Sequence, residues 1–189
     1  MRRVWLIRHA EPTAGWGEAA DPGLSVRGQT QAAACAAAMQ NVGVFNIISS
    51  PMRRCRETAA PLAALQALGL TIDPRVSEVA APSGTEDRAG WLRRTFPWRG
   101  DVAPTIWPQL SPELWAWRAN VLSAFADLDG DVAVFTHFIA INTIAGAALG
   151  RPETIVCRPA HASITELAIE GGALRLIAHG AQMQGDDVR

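Results

Sequence analysis

Apolar residues in this chain fall into two patterns: short continuous runs, and longer stretches in which they recur every three or four positions. Val4-Trp5-Leu6-Ile7, within residues 3–8, is a continuous run, and Val132-Ala133-Val134-Phe135, within 131–136, is another. Such runs are expected of strands buried on both faces. Further strand candidates lie at 45–49, 71–76, 163–169 and 174–178, the last two joined through Glu170-Gly171-Gly172. Helical periodicity fills the intervals. One helix is expected from a Ser25 cap to about Met39, and a second from Ser50-Pro51, read as an N-cap and first-turn proline, to about Leu68. A third should run from Ser111-Pro112 to about Asp127, and an apolar fourth from Phe138 to Leu149. This alternation predicts an α/β fold, a three-layer αβα sandwich with a mostly parallel central sheet. Two stretches stand outside it: a loop at 11–23 containing Trp16, and residues 80–112, where periodicity disappears.

Composition narrows the possibilities. At 189 residues and 49% hydrophobic content, the chain is long enough for one well-filled core and too apolar for disorder. We expect a single domain over residues 1–182, with an insertion at about 80–112, a polar, frayed end from about Ala181 and a tail at 183–189. A net charge of −1 argues against nucleic acid as a partner. No apolar stretch reaches the roughly 18 residues of a membrane span; the best, 138–149, contains Asn142 and Thr143. The N-terminal apolar run is broken after four residues by Arg8-His9, so no export signal is read. Cys35, Cys55 and Cys157 are widely spaced with no CxxC pair, which suits reduced thiols in a cytoplasmic protein rather than a disulfide framework or zinc site.

Ligands of open α/β sheets bind beyond the carboxyl ends of the strands. Here those ends carry Arg8-His9, the segment Ser50 to Arg56, and Thr136-His137. Arg53, Arg54 and Arg56 fall in the first turns of a helix, where the macrodipole is already positive. Three cations there are unfavourable unless an anion lies nearby, and helix N-termini bind phosphate readily. On a helix Arg53 and Arg56 share a face, while Arg54 points about 100° away from Arg53. Spacing leaves open whether Arg54 or the Arg53/Arg56 pair serves the anion.

Leu6-Ile7-Arg8-His9-Ala10-Glu11 resembles the L-x-R-H-G/A-E signature of the histidine phosphatase superfamily, which has the phosphoglycerate mutase-like fold. Ser50-Pro51-Met52-Arg53-Arg54-Cys55-Arg56-Glu57-Thr58 is similar to the family's S-P-x-x-R-x-x-x-T element, and Phe135-Thr136-His137 to the strand that carries its second histidine. The segments Leu24 to Ala32 and Ala162 to Leu167 resemble supporting parts of the same pattern. The resemblance implies a phosphohydrolase that needs no metal or cofactor and cleaves phosphomonoesters through a phosphohistidine on His9. Arg8, Arg54 and His137 would surround the phosphoryl group, with the backbone N–H of Phe138 as a further donor. His9 would attack as a neutral imidazole, its other nitrogen held by a backbone carbonyl. Glu78 matches the family's proton donor, with Glu11 as second candidate. The substrate would be a small phosphorylated metabolite or a phosphoprotein.

Two other readings are a phosphoglycerate mutase-type phosphotransferase, for which the chain is short, and a catalytically silent phosphate-binding module. The sequence departs from the family pattern at Phe138-Ile139, where Gly-Gly is common, and at Asn142, where a basic residue is common. His161 stands where Asn is frequent and is expected to cap a strand or reach the rim of the site; His179 is expected at the surface. Five of the seven tryptophans, from Trp91 to Trp117, are interleaved with arginines. They are expected to form mostly a satellite core, with one or two facing the pocket.

Overall fold

Strand β1 (Arg2–Arg8) lies inside a six-stranded sheet whose other members are β2 (Asn46–Ser49), β3 (Leu70–Ile72), β4 (Val132–Thr136), β5 (Ile164–Glu170) and β6 (Ala173–Ala178). In this computed structural model, which describes residues 1–15 and 18–185, the strand order is β3-β2-β4-β1-β5-β6. The pairs β3/β2, β2/β4 and β4/β1 are parallel, while β5 runs antiparallel to β1 and to β6.

Alternate residues of each central strand enter different cores. Ile7, Ile47, Ala133 and Phe135 pack on the face covered by α1 (Val26–Ala38) and α2 (Arg53–Gln66), against Cys35, Cys55, Ala59 and Leu62. Val4, Leu6, Ile48, Val132, Val134 and Leu167 pack on the other, with Val121 of α4 (Pro112–Ser123) and Ile141 and Ile144 of α5 (Phe138–Leu149). Because both faces are covered, these strands read as unbroken apolar runs. The architecture is the expected three layers with a mostly parallel sheet.

Several boundaries differ from the sequence expectation. Ser50 is not the N-cap of α2; the helix starts at Arg53 behind Met52. The Ser50 backbone N–H continues the strand ladder by donating to Phe135 O at 3.0 Å, and its hydroxyl meets His137. Strand β3 stops at Ile72 because Pro74, which cannot donate to a ladder, opens a 3-10 turn at Pro74–Val76. α4 ends at Ser123, short of Asp127.

The aperiodic insertion contains an unanticipated helix, α3 (Arg88–Thr95), capped by Asp87, whose carboxylate accepts from Gly90 N at 2.7 Å. Gly90 inside the helix masked its pattern, and the Asp87 cap was the available signal. Trp98, Trp107, Leu92 and Phe96 form a satellite core with Phe138 and Ile139 of α5. Trp107 stacks on Trp117, and the Arg118 guanidinium covers both Trp107 and Trp115. Residues 181–185 are not frayed as expected: Met183 N donates to Arg158 O at 2.7 Å and Gln182 bridges Pro159. Trp16 and residues 186–189 of the expected tail lie outside the described residues.

Candidate active site

The carboxyl ends of β1, β2 and β4 converge on one point. His9 N donates to Thr136 O at 2.9 Å, tying the residue after β1 to the end of β4. The rings of His9 and His137 stand 5.2 Å apart, edge to face. Arg8 and His137 are wholly buried, and His9 and Arg54 nearly so. Of the three helix-start arginines, Arg54 is the one turned inward; Arg53 is exposed and paired with Glu57 at 2.6 Å, and Arg56 is exposed. Arg54 is therefore the one that faces His137, at 3.2 Å from its Nδ1.

Donor and acceptor chemistry fixes both tautomers. His9 Nδ1 lies 2.9 Å from Ala10 O, and a carbonyl only accepts, so Nδ1 carries the proton and Nε2 the lone pair. Arg54 Nη2 lies 3.2 Å from His137 Nδ1, and a guanidinium only donates, so that nitrogen is the acceptor. His137 Nε2–H then donates to Ser50 Oγ at 2.8 Å. Burial is the main force holding both imidazoles well below their usual 6.5, with Arg54 the next contributor in each case. Both rings are neutral at pH 7. The Cys55 thiol, 3.4 Å from His137 Nε2, is pushed up to about 12 by burial and stays protonated.

The loop after His9 is clamped from two sides. Ala10 N donates to Thr58 Oγ1 at 2.9 Å, and Thr58 donates in turn to Arg54 O at 2.6 Å, so one hydroxyl joins the His9 loop to the Arg54 helix. On the other side Glu11 N donates to Gln31 Oε1, and Ser25 Oγ donates to Glu11 Oε1 while accepting from Gly28 N. A Cβ on Gly28 would fall 2.1 Å from Glu11 O, so only glycine admits this approach. Glu11 is thus engaged with the start of α1, including Arg27 at 3.6 Å.

Glu78 follows the 3-10 turn, which is anchored to β4 by Thr136 Oγ1 donating to Val76 O at 2.6 Å. Its Oε2 accepts from Ile139 N at 3.0 Å and its Oε1 from Val79 N at 3.1 Å. Burial raises its pKa against these hydrogen bonds and against the pull of Arg54 and Arg8. Arg54 and Glu78 stand together on the wall of a cavity of about 450 Å³, which is also lined by Pro12, Glu18, Pro22, Met52, Ser77 and Arg88. Phe138 is turned away from it: its ring lies under the Arg8 guanidinium, 5.2 Å from centroid to carbon, and edge-on to Trp98 at 6.0 Å. None of the five tryptophans from Trp91 to Trp117 lines this cavity, contrary to expectation; the insertion contributes Ala80, Ala81 and Arg88 to it. Trp98 and Trp107 are buried in the satellite core with Trp91 and Trp117 packed against it, while Trp115 stays partly exposed beside Trp107.

Asn142 ties α5 to the segment that follows it. Its Oδ1 accepts from Val156 N and Cys157 N, at 2.8 and 2.9 Å, and its Nδ2 donates to Phe138 O. The segment it holds leads to Pro159, whose carbonyl accepts from Arg8 Nη1 at 2.9 Å. His161 is the residue that sequence reasoning undervalued: its ring lies 5.7 Å from that of His9. Its weak signal was its place before the Ala162-Ser163 motif. Ala162 has φ +55°, a left-handed conformation costing a residue with a Cβ on the order of 1 kcal/mol. Among the described residues no group of three or more His, Cys, Asp or Glu side chains is placed to hold a metal ion. Also among them, no helix is long and apolar enough to cross a membrane.

A mostly parallel αβα fold with two histidines and two arginines buried together defines a class, and comparison with known proteins gives it a family. Residues 4–182 match the histidine phosphatase superfamily (branch 1), and the chain belongs to that family. A 2,3-bisphosphoglycerate-dependent phosphoglycerate mutase of Thermoplasma acidophilum is 27% identical over 169 residues, covering 88% of this chain and 83% of that one. An uncharacterised protein of Mycobacterium tuberculosis is 39% identical over 82 residues, a match spanning only 41% of its length and 41% of this chain. Among solved structures, a mycobacterial glucosyl-3-phosphoglycerate phosphatase superposes with a TM-score of 0.75 at 22% identity, over 97% of this chain and 100% of that one. The alpha-ribazole phosphatase of Shigella flexneri does so with a TM-score of 0.69 at 18% identity, over 98% and 99%. At these identities the structural likeness establishes the phosphoglycerate mutase-like fold.

Proposed function

We propose that this chain is a phosphomonoesterase that works without a metal ion and passes through a phosphohistidine on His9. The observation that carries the reading is the Nδ1–H of His9 on the Ala10 carbonyl, which leaves Nε2 unprotonated beside two buried arginines. Nε2 attacks phosphorus as the bond to the leaving oxygen breaks, and Glu78 gives that oxygen its proton. Arg8 and Arg54 balance the charge on the equatorial oxygens in a site where water screens little. Water then attacks the phosphohistidine, Glu78 takes its proton, and inorganic phosphate leaves. The substrate is a small phosphorylated metabolite, the kind of compound named for the phosphatases that share the fold.

p-Nitrophenyl phosphate should be hydrolysed in the presence of EDTA. His9→Ala should abolish turnover, and rapid quenching of wild type with labelled substrate should trap an acid-labile phosphohistidine on His9. Turnover that survives His9→Ala would remove the mechanism. The Thermoplasma mutase, which aligns with most of the chain, supports a second reading as a phosphotransferase. Rapid interconversion of phosphoglycerates would favour it, whereas phosphate binding without turnover would point to a silent module.

A further inference from the structure

His161 carries a separate argument, which rests on the anion site proposed above. The turn that bears it is sewn to β1 by its backbone. Arg8 N donates to Ser163 O at 3.2 Å, Ala162 N is shared between Arg8 O at 3.1 Å and His9 O at 3.4 Å, and Ser163 N closes the turn on Ala160 O. Arg8 Nη1 adds the bond to Pro159 O. The backbone on either side of His161 is therefore held to the end of β1 by hydrogen bonds.

The turn closes only because Ala162 adopts the left-handed conformation, which glycine would adopt without strain. Strain of this kind persists where the surroundings enforce it, and it clusters at binding sites. Here it turns the chain so that the preceding side chain meets the His9 ring. On the surface beyond, His161 lines a second cavity of about 540 Å³ with Glu11, Arg27, Gln31, Met183 and Gln184. His161 is thus a half-buried imidazole between the expected nucleophile and solvent, on a wall different from that of Glu78 and Arg54.

We propose that His161 is a third histidine of the anion site, donating a ring N–H to the phosphoryl group carried on or released from His9. The ligand class is a tetrahedral phosphate dianion. An imidazole gives one directional donor there, in addition to the two guanidinium groups.

The test uses inorganic phosphate as titrant, measured by calorimetry, and p-nitrophenyl phosphate as substrate. His161→Ala should weaken phosphate binding at least tenfold and lower kcat/KM by a similar factor, with the melting temperature within about 2 °C of wild type. His161→Asn, which keeps a donor, should recover most of the lost affinity. In the wild type, the His161 ring proton resonance, assigned from the Asn variant, should shift as phosphate is added, a readout that does not require the Ala variant to fold. Phosphate binding unchanged in His161→Ala, or a His161 resonance indifferent to phosphate, would overturn the inference while leaving the His9 mechanism standing. A wild type that neither binds phosphate nor hydrolyses the ester would remove both.

Discussion

At the scale of single residues, the site depends on which groups burial discharges. His9 and His137 sit well below their usual pKa and Glu78 above its own. The mechanism proposed above needs neutral His9 and protonated Glu78 together, so kcat/KM should fall on the acid side as His9 takes up a proton and on the alkaline side as Glu78 loses one. Glu78→Gln should flatten the alkaline limb and cost about 10²-fold or more on alkyl phosphates, with a smaller loss on p-nitrophenyl phosphate, whose leaving group needs little protonation. Stability follows the same groups. Below about pH 6.5 the unfolded chain takes up protons that the two folded imidazoles refuse, so stability falls with pH by up to about 1.4 kcal/mol per unit for each ring. Glu78 acts in the opposite sense above its ordinary 4.5, because the fold keeps a proton that the unfolded chain releases. Two rings outweigh one carboxylate. The melting temperature should be lower at pH 5.5 than at pH 7, and Glu78→Gln should steepen that decline.

At the scale of elements, the helix ends and their clamps decide where side chains point. Helix α2 ends on Ala67 at φ 53°, an exposed left-handed position. Ala67→Gly should stabilise the protein by about 0.5–1 kcal/mol, visible in thermal or urea melts, because glycine removes the strain of that cap. The start of α1 gives the opposite case. A methyl group on Gly28 would overlap the Glu11 carbonyl, so Gly28→Ala should cost about 1–3 kcal/mol. It should also depress kcat with p-nitrophenyl phosphate, since the displaced loop carries Ala10 O, the acceptor that orients His9. The Ser25, Gly28 and Gln31 pattern was legible as family resemblance; its physical purpose emerges only when α1 is seen holding the Glu11 backbone.

At the scale of the whole molecule, the Trp-rich insertion behaves as a second core behind the site rather than a lid lined with indoles. Phe138 belongs to both: its ring supports the Arg8 guanidinium and packs against Trp98. Trp107 lies at the centre of that cluster, between Phe96, Trp115 and Trp117. Trp107→Ala should cost about 3–5 kcal/mol in denaturant unfolding. A folded remnant should show a raised KM, since the cluster that includes Phe138 beneath Arg8 is opened.

The apolar runs and the helical stretches between them were enough to determine the layered α/β architecture, because the two-sided burial of a parallel strand leaves a trace in local order. The Arg8-His9, Arg54 and Thr136-His137 motifs were legible for a related reason: each ends a strand or opens a helix, and that position is itself local. Only the tertiary structure could show that Arg54 is turned inward and its neighbours outward, because an exposed and a buried arginine look alike until the opposing wall is present. It also decided the His tautomers, the duties of Glu11 and Asn142, and the approach of His161 to His9. Each of these depends on a hydrogen bond or a close contact between segments far apart in the chain, and no periodicity within either segment encodes its partner.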